Sequence, residues 1–134
     1  MRILPRPSAG TRPFWDAARA HRLVLPRCER CARWANPQEV VHACACGGAR
    51  AWSEASGRGT IASWTVVRKA AHPAVADEVP YTLLLVRLAE GAQLVSSLPG
   101  EGHGLAVGDE VEVSYDDVTS DVTLVRFRMP RRET

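Results

Sequence analysis

Long apolar runs are missing from this chain. No segment approaches the roughly 20 consecutive apolar residues that a membrane-spanning helix needs. The opening MRILPRPSAG lacks the continuous apolar stretch of a signal peptide or anchor. A soluble cytoplasmic protein with no membrane partner is the resulting expectation. Internal repeats and low-complexity segments are absent as well. Aromatic residues make up only 6% of the 134 positions, which argues against a surface built for stacking bases. His21, His42, His72 and His103 are scattered, and no Ser/His/Asp grouping can be assembled around them. No catalytic residues are therefore expected in this chain. Asp116, Asp117 and Asp121 lack the spacing and the glycine of a calcium loop and read as a solvated turn. What remains is a folding composition: 46% hydrophobic and 24% charged.

The net charge of +2 conceals an asymmetry. Residues 1–53 hold nine arginines against Asp16, Glu29 and Glu39, whereas residues 54–129 hold six basic and eleven acidic residues. A basic front half suits an anionic partner, either a nucleic acid, a phosphate-bearing cofactor or an acidic protein face. Four thiolates around a zinc ion carry two negative charges, which reduces that excess to about +4. A charge this small names no partner.

The clearest chemical signal is the set of four cysteines, Cys28-x-x-Cys31 and Cys44-x-Cys46. Two close thiol pairs can fold together and present four sulfurs tetrahedrally, about 2.3 Å from a zinc ion. Gly47 and Gly48 follow the second pair and can take the positive φ of a metal knuckle. Some 25 residues cannot bury enough core to fold alone, so metal binding would supply folding energy. Two disulfides or an iron–sulfur centre are the competing uses of four cysteines. Nothing indicates export, and zinc is the expected occupant. The second pair is one residue shorter than the usual C-x-x-C. Either its loop adjusts, or one cysteine drops out and the site is weak or empty, with His42 as a candidate substitute ligand. A closed four-cysteine site is structural, because no coordination position stays open.

Organisation along the chain is mainly β. Residues 1–22 form a Pro- and Gly-containing lead and a short helix, with Thr11 and Pro13 at its start and Phe14, Trp15 and Ala18 on one face. Leu23-Val24-Leu25 reads as a strand entering the Cys-rich segment, which spans 23–53 and otherwise reads as loop. Residues 54–130 change to period-two patterning. Strands are predicted at Thr60–Lys69, Tyr81–Leu88, Ala92–Leu98, Val111–Tyr115 and Thr123–Met129. The run Leu83-Leu84-Leu85-Val86 predicts burial on both faces of its strand. Five strands with a long third-to-fourth connection fit a Greek-key barrel of the oligonucleotide/oligosaccharide-binding (OB) type. A small sandwich or an SH3-like barrel fits the pattern nearly as well.

Taken in order, several short runs resemble the DUF35 family. They are Pro13-Phe14-Trp15, Leu23-Val24-Leu25-Pro26-Arg27-Cys28-x-x-Cys31, Trp34-x-x-Pro37 and Cys46-Gly47 in the front half. Ser56-Gly57-Arg58-Gly59-Thr60-Ile61, Trp64-Thr65-Val66-Val67, His72-Pro73, Val79-Pro80-Tyr81, Val107–Val113 and Leu124-Val125-Arg126-Phe127 continue the match. The sequence departs where family members show C-x-x-C-G, since Ala43 aligns with the third cysteine. The resemblance implies a rubredoxin-like zinc ribbon joined to a five-stranded OB-fold barrel. It also implies a non-catalytic accessory subunit of a thiolase-superfamily enzyme, namely a thiolase, a lipid-transfer-protein-type aldolase or an acyltransferase. Such a subunit supports assembly of a heteromeric complex and helps to form the acyl-CoA path. Some related chains are fused to a MaoC-type hydratase domain. Its absence here implies a stand-alone subunit or an excised domain.

Contacts to the partner or to CoA are expected from Phe14 and Trp15 on the helix, and from Arg68, Lys69 and His72 after the first barrel strand. The blander readings are a solvated cation pair and an exposed loop histidine. Trp15, Trp34, Trp52 and Trp64 read as core or interface anchors. The alternative function is single-stranded nucleic-acid binding, which OB folds and zinc ribbons both serve. A net acidic, aromatic-poor barrel counts against it.

Overall fold

The structure is a computed structural model that describes residues 9–37, 44–69, 73, 79–100 and 104–130. His42 and His72, named above as a substitute ligand and a contact residue, lie outside the described residues.

Among the described residues one helix, α1 (Arg12–Arg19), precedes seven strands: β1 (Val24–Cys28), β2 (Arg50–Glu54), β3 (Arg58–Val67), β4 (Tyr81–Leu88), β5 (Gln93–Pro99), β6 (Glu110–Asp117) and β7 (Thr123–Arg128). Pro13 sits in the first turn of α1, where a missing N–H costs nothing. Thr11 occupies the N-cap without a side-chain capping bond. At the other end, the His21 N–H reaches the Ala18 carbonyl and the Arg22 N–H reaches the Ala17 carbonyl, each at 2.9 Å. This Schellman pattern needs a left-handed residue, normally glycine, and here it is His21 at φ 57°.

The His21 side chain compensates for that strain. Its ring stacks on Tyr115 of β6 at 4.9 Å with planes 6° apart. Its Nε2 lies 2.9–3.0 Å from both Asp117 carboxylate oxygens. The Thr123 hydroxyl donates to the same carboxylate at 2.6 Å. The Thr123 bond, and then His21, hold the Asp117 carboxyl below its usual pKa. A folded-state pKa below the unfolded one means that this latch contributes at neutral pH. The contribution fades as pH falls through about 4 and below. Asp117→Asn should therefore flatten the acid limb of the stability curve in that window. Unchanged acid sensitivity in urea melts between pH 6 and pH 3 would refute the latch.

β1 and β2 pair antiparallel as a separate ribbon, Val24 opposite Glu54 through Cys28 opposite Arg50. The remaining strands form one antiparallel sheet in the order β5-β4-β3-β6-β7. β3 serves two partners, running beside β4 along most of its length and beside β6 at Arg58–Thr60. A register shift between Ile61 and Ser63 bends the strand. Gly59 sits at this crossing, where a Cβ would lie 2.6 Å from the Arg87 carbonyl oxygen. The edges β5 and β7 meet through side chains: Ser96 Oγ donates to the Val125 carbonyl at 3.1 Å, and Arg126 Nη1 to Ser97 Oγ at 2.6 Å. This order and closure are those of an OB barrel rather than of a sandwich.

Ile61, Leu84, Val86, Val111 and Phe127 fill the barrel, each 2% exposed or less. Leu23 and Leu25 of the front segment belong to the same cluster, at 2% and 0%. The ribbon is thus rooted in the barrel core. Two expectations need correction. β2 forms where only loop was expected, because Arg50–Glu54 has a partner strand 22 or more residues earlier in the chain, which local patterning does not reveal. β4 is buried on one face only. Leu84 and Val86 point inward while Leu83 and Leu85 are half-buried on the outside.

Candidate metal centre

Each cysteine pair sits in a knuckle whose backbone bonds can be compared directly. In the first, the Ala32 N–H donates to the Cys28 carbonyl at 3.0 Å, and the Cys28 N–H to the Arg33 carbonyl at 2.8 Å. In the second, the Gly47 N–H donates to the Cys44 carbonyl at 2.8 Å, and the Cys44 N–H to the Gly48 carbonyl at 3.2 Å. The pattern is the same, drawn in by one residue. Ala32 (φ 65°) and Gly47 (φ 88°) take the left-handed position in each. The short second loop therefore adjusts, and both of its sulfurs join the cluster.

All four Sγ atoms lie within 4.8 Å of one another, with Cys28–Cys46 and Cys31–Cys44 at 3.5 Å. Tetrahedral zinc with bonds of about 2.3 Å requires sulfurs about 3.8 Å apart, so the donor set fits that ion. None of the four is in a disulfide. The Arg30 and Cys31 N–H groups both donate to Cys28 Sγ at 3.4 Å. The Cys31 N–H foremost, with the Arg30 N–H beside it, brings the Cys28 thiol down to about 6. The Cys46 N–H lowers Cys44 in the same way. Gly48 must remain glycine, because a Cβ there would lie 2.5 Å from Cys28 Sγ. A buried thiol that accepts two backbone N–H bonds and faces three further sulfurs has the donor set of a metal site.

Sequence reasoning did not identify the supports around this cluster. Arg27 Nε donates to the Ala32 carbonyl at 3.3 Å while its guanidinium lies 5.2 Å from the centre of the Trp34 ring. Arg30 Nη1 donates to the Cys46 carbonyl at 3.2 Å. The one signal in the sequence is the excess of arginines in residues 1–53, which suits an anionic partner.

Phe14 and Trp15 come together edge to face, with ring centroids 5.1 Å apart. They border a groove of about 380 Å³ between α1, the ribbon's Asn36 and Pro37, and the barrel residues Leu94, Val95, Leu124 and Phe127. Among the described residues, no titratable side chain lines it. Arg68 and Lys69 are exposed beyond the end of β3 and take no part in this groove. No helix among the described residues is long and apolar enough to cross a membrane.

Residues 52–116 match the family of ChsH2 C-terminal OB-fold domains. A probable enoyl-CoA hydratase alpha subunit of Thermomonospora curvata is 34% identical over 139 residues, which covers 98% of this chain and 42% of that protein. The chain thus spans about two fifths of that relative's length. Among solved structures, a chain of an Ltp2-ChsH2(DUF35) aldolase superposes with a TM-score of 0.76 at 29% identity, covering 94% of this chain and 98% of that one. A DUF35 protein of unknown function from Sulfolobus solfataricus shares the fold, with a TM-score of 0.56 at 17% identity over 79% of this chain and 76% of that one. The structural match extends over 94% of this chain, and it is to DUF35 proteins that the chain is similar.

Proposed function

We propose that this chain is the non-catalytic accessory subunit of a heteromeric thiolase-superfamily enzyme, an acyl-CoA thiolase or a lipid-transfer-protein-type aldolase. The observation that carries the reading is the near-complete superposition on a chain of an Ltp2-ChsH2(DUF35) aldolase. The name of the Thermomonospora curvata relative supports an acyl-CoA setting. The site chemistry agrees. The four thiols suit a structural zinc ion, and the groove beside α1 is lined, among the described residues, by apolar and uncharged polar side chains.

In this reading zinc holds the ribbon, the ribbon and α1 shape the groove, and the partner carries the reacting groups. Phe14 and Trp15 anchor the partner. Arg68, Lys69 and His72 are secondary contacts to the partner or to the CoA phosphates. The acyl-CoA is a ligand of the assembled complex.

The test is to co-express the chain with the thiolase-fold protein of its native host, then to assay retro-aldol and thiolytic cleavage with and without it. Co-purification and subunit-dependent turnover are expected. A chain that emerges alone, with no such activity depending on it, ends the proposal. Within the complex, Trp15→Ala should weaken assembly by a factor of ten or more, about the effect of truncating an aromatic anchor of a hot spot. Titration calorimetry with unchanged affinity for Trp15→Ala and Phe14→Ala together would move the contact elsewhere.

A further inference from the structure

The second knuckle is one residue short, yet its sulfurs converge with those of the first, so something outside its own loop must hold it. Besides the contacts between sulfurs, two hydrogen bonds among the described residues cross between the knuckles. One is a backbone bond from the Glu29 N–H to the Ala49 carbonyl at 2.8 Å. The other comes from Arg30. Its Nη1 donates to the Cys46 carbonyl at 3.2 Å. Its stem runs over the glycine pair. A Cβ on Gly48 would lie 2.6 Å from Arg30 Cβ, and one on Gly47 would lie 3.6 Å from Arg30 Nη1. The two glycines therefore leave room for this side chain as well as for the turn. The Arg30 N–H also donates to Cys28 Sγ, so a single residue touches both halves of the sulfur cluster.

Cys46 and Cys31 are exposed, whereas Cys28 and Cys44 are buried. Of the two exposed sulfurs, Cys46 is the one on the short knuckle, and its carbonyl is the one that Arg30 reaches.

We infer that Arg30 is a positioning residue for the metal, a clamp that spans the knuckles and fixes Cys46 in the tetrahedron. The inference rests on the zinc reading. A guanidinium suits the role, since its planar fork reaches a carbonyl while its charge faces a centre that four thiolates leave at −2. Partners just outside the ligands typically change metal affinity by about 10–100-fold when removed.

The test compares Arg30→Ala with Arg33→Ala, which removes the same charge from an exposed neighbour in the same ribbon. Each protein is loaded with zinc, and release to a chromogenic chelator is timed. Cobalt(II) absorption is then read on the same variants. Arg30→Ala should release zinc about ten times faster than wild type and weaken the thiolate-to-cobalt charge-transfer band, with Arg33→Ala within about twofold of wild type. Near-ultraviolet circular dichroism should show the barrel unchanged in both. Equal release rates in the two variants, or an unaltered cobalt spectrum in Arg30→Ala, would overturn the clamp. A wild-type chain that takes up neither zinc nor cobalt would overturn the zinc reading itself.

Discussion

Cys28→Ser should abolish tight metal binding and lower the melting temperature of the whole chain, whereas Cys46→Ser should leave a weakened site. The two sulfurs differ in where they sit. Cys28 is 2% exposed, ends β1, and accepts N–H bonds from Arg30 and Cys31. Those donors bring its thiol to about 6, so it meets a metal as a thiolate near neutral pH. A serine hydroxyl keeps its proton there and offers a poor zinc ligand. Apparent zinc-binding free energies in zinc-finger peptides are about 10–16 kcal/mol, so losing a buried ligand removes much of what orders the knuckles. Cys46 is exposed, as Cys31 is, so a water can take its place. Metal content by mass spectrometry and melting curves with and without chelator make the comparison. Stoichiometric zinc in Cys28→Ser would eliminate the four-thiolate site.

Much of this was legible in the sequence because the relevant forces are local. Val111 and Val113 alternate with Glu112 and Ser114, and Leu124 to Arg128 alternate likewise, so period two alone located β6 and β7. The helix showed itself through Pro13 and the spacing of Phe14 and Ala18. What escaped the sequence depends on distant partners. β2 is a strand because β1 lies beside it. Leu83 and Leu85 look like core but face outward, because the inward positions of β4 are already taken by Thr82, Leu84, Val86 and Leu88. The C-x-C knuckle looked defective by its count of residues. Backbone bonding, a left-handed Gly47 and the reach of Arg30 show how one residue fewer still delivers both sulfurs.

The second large effect concerns the seam between ribbon and barrel. Leu25→Ala should cost about 2–5 kcal/mol, as other buried leucine truncations do. That corresponds to a fall in melting temperature on the order of 10 °C for a chain of this size. Leu25 is fully buried and lies in the same cluster as Leu84, Val86 and Phe127, although it belongs to the strand that carries Cys28. Its neighbour Leu23 accepts a bond from the Ala55 N–H at 2.9 Å, so both ends of the ribbon are tied at this seam. Leu83→Ala, on the half-buried outer face of β4, should cost far less. The loss at Leu25 should also reach the surface. α1 packs Phe14 against the shared core, and the groove beside Phe14 and Trp15 draws its walls from helix, ribbon and barrel at once. Loosening the seam should therefore weaken partner binding without touching a contact residue. Urea unfolding followed by tryptophan fluorescence and by the cobalt–thiolate band should give one midpoint for both probes in wild type and in Leu25→Ala, shifted together. A thiolate band lost at low urea while the barrel keeps its wild-type midpoint would mean that the ribbon unfolds alone, and the shared core would then not be what holds it.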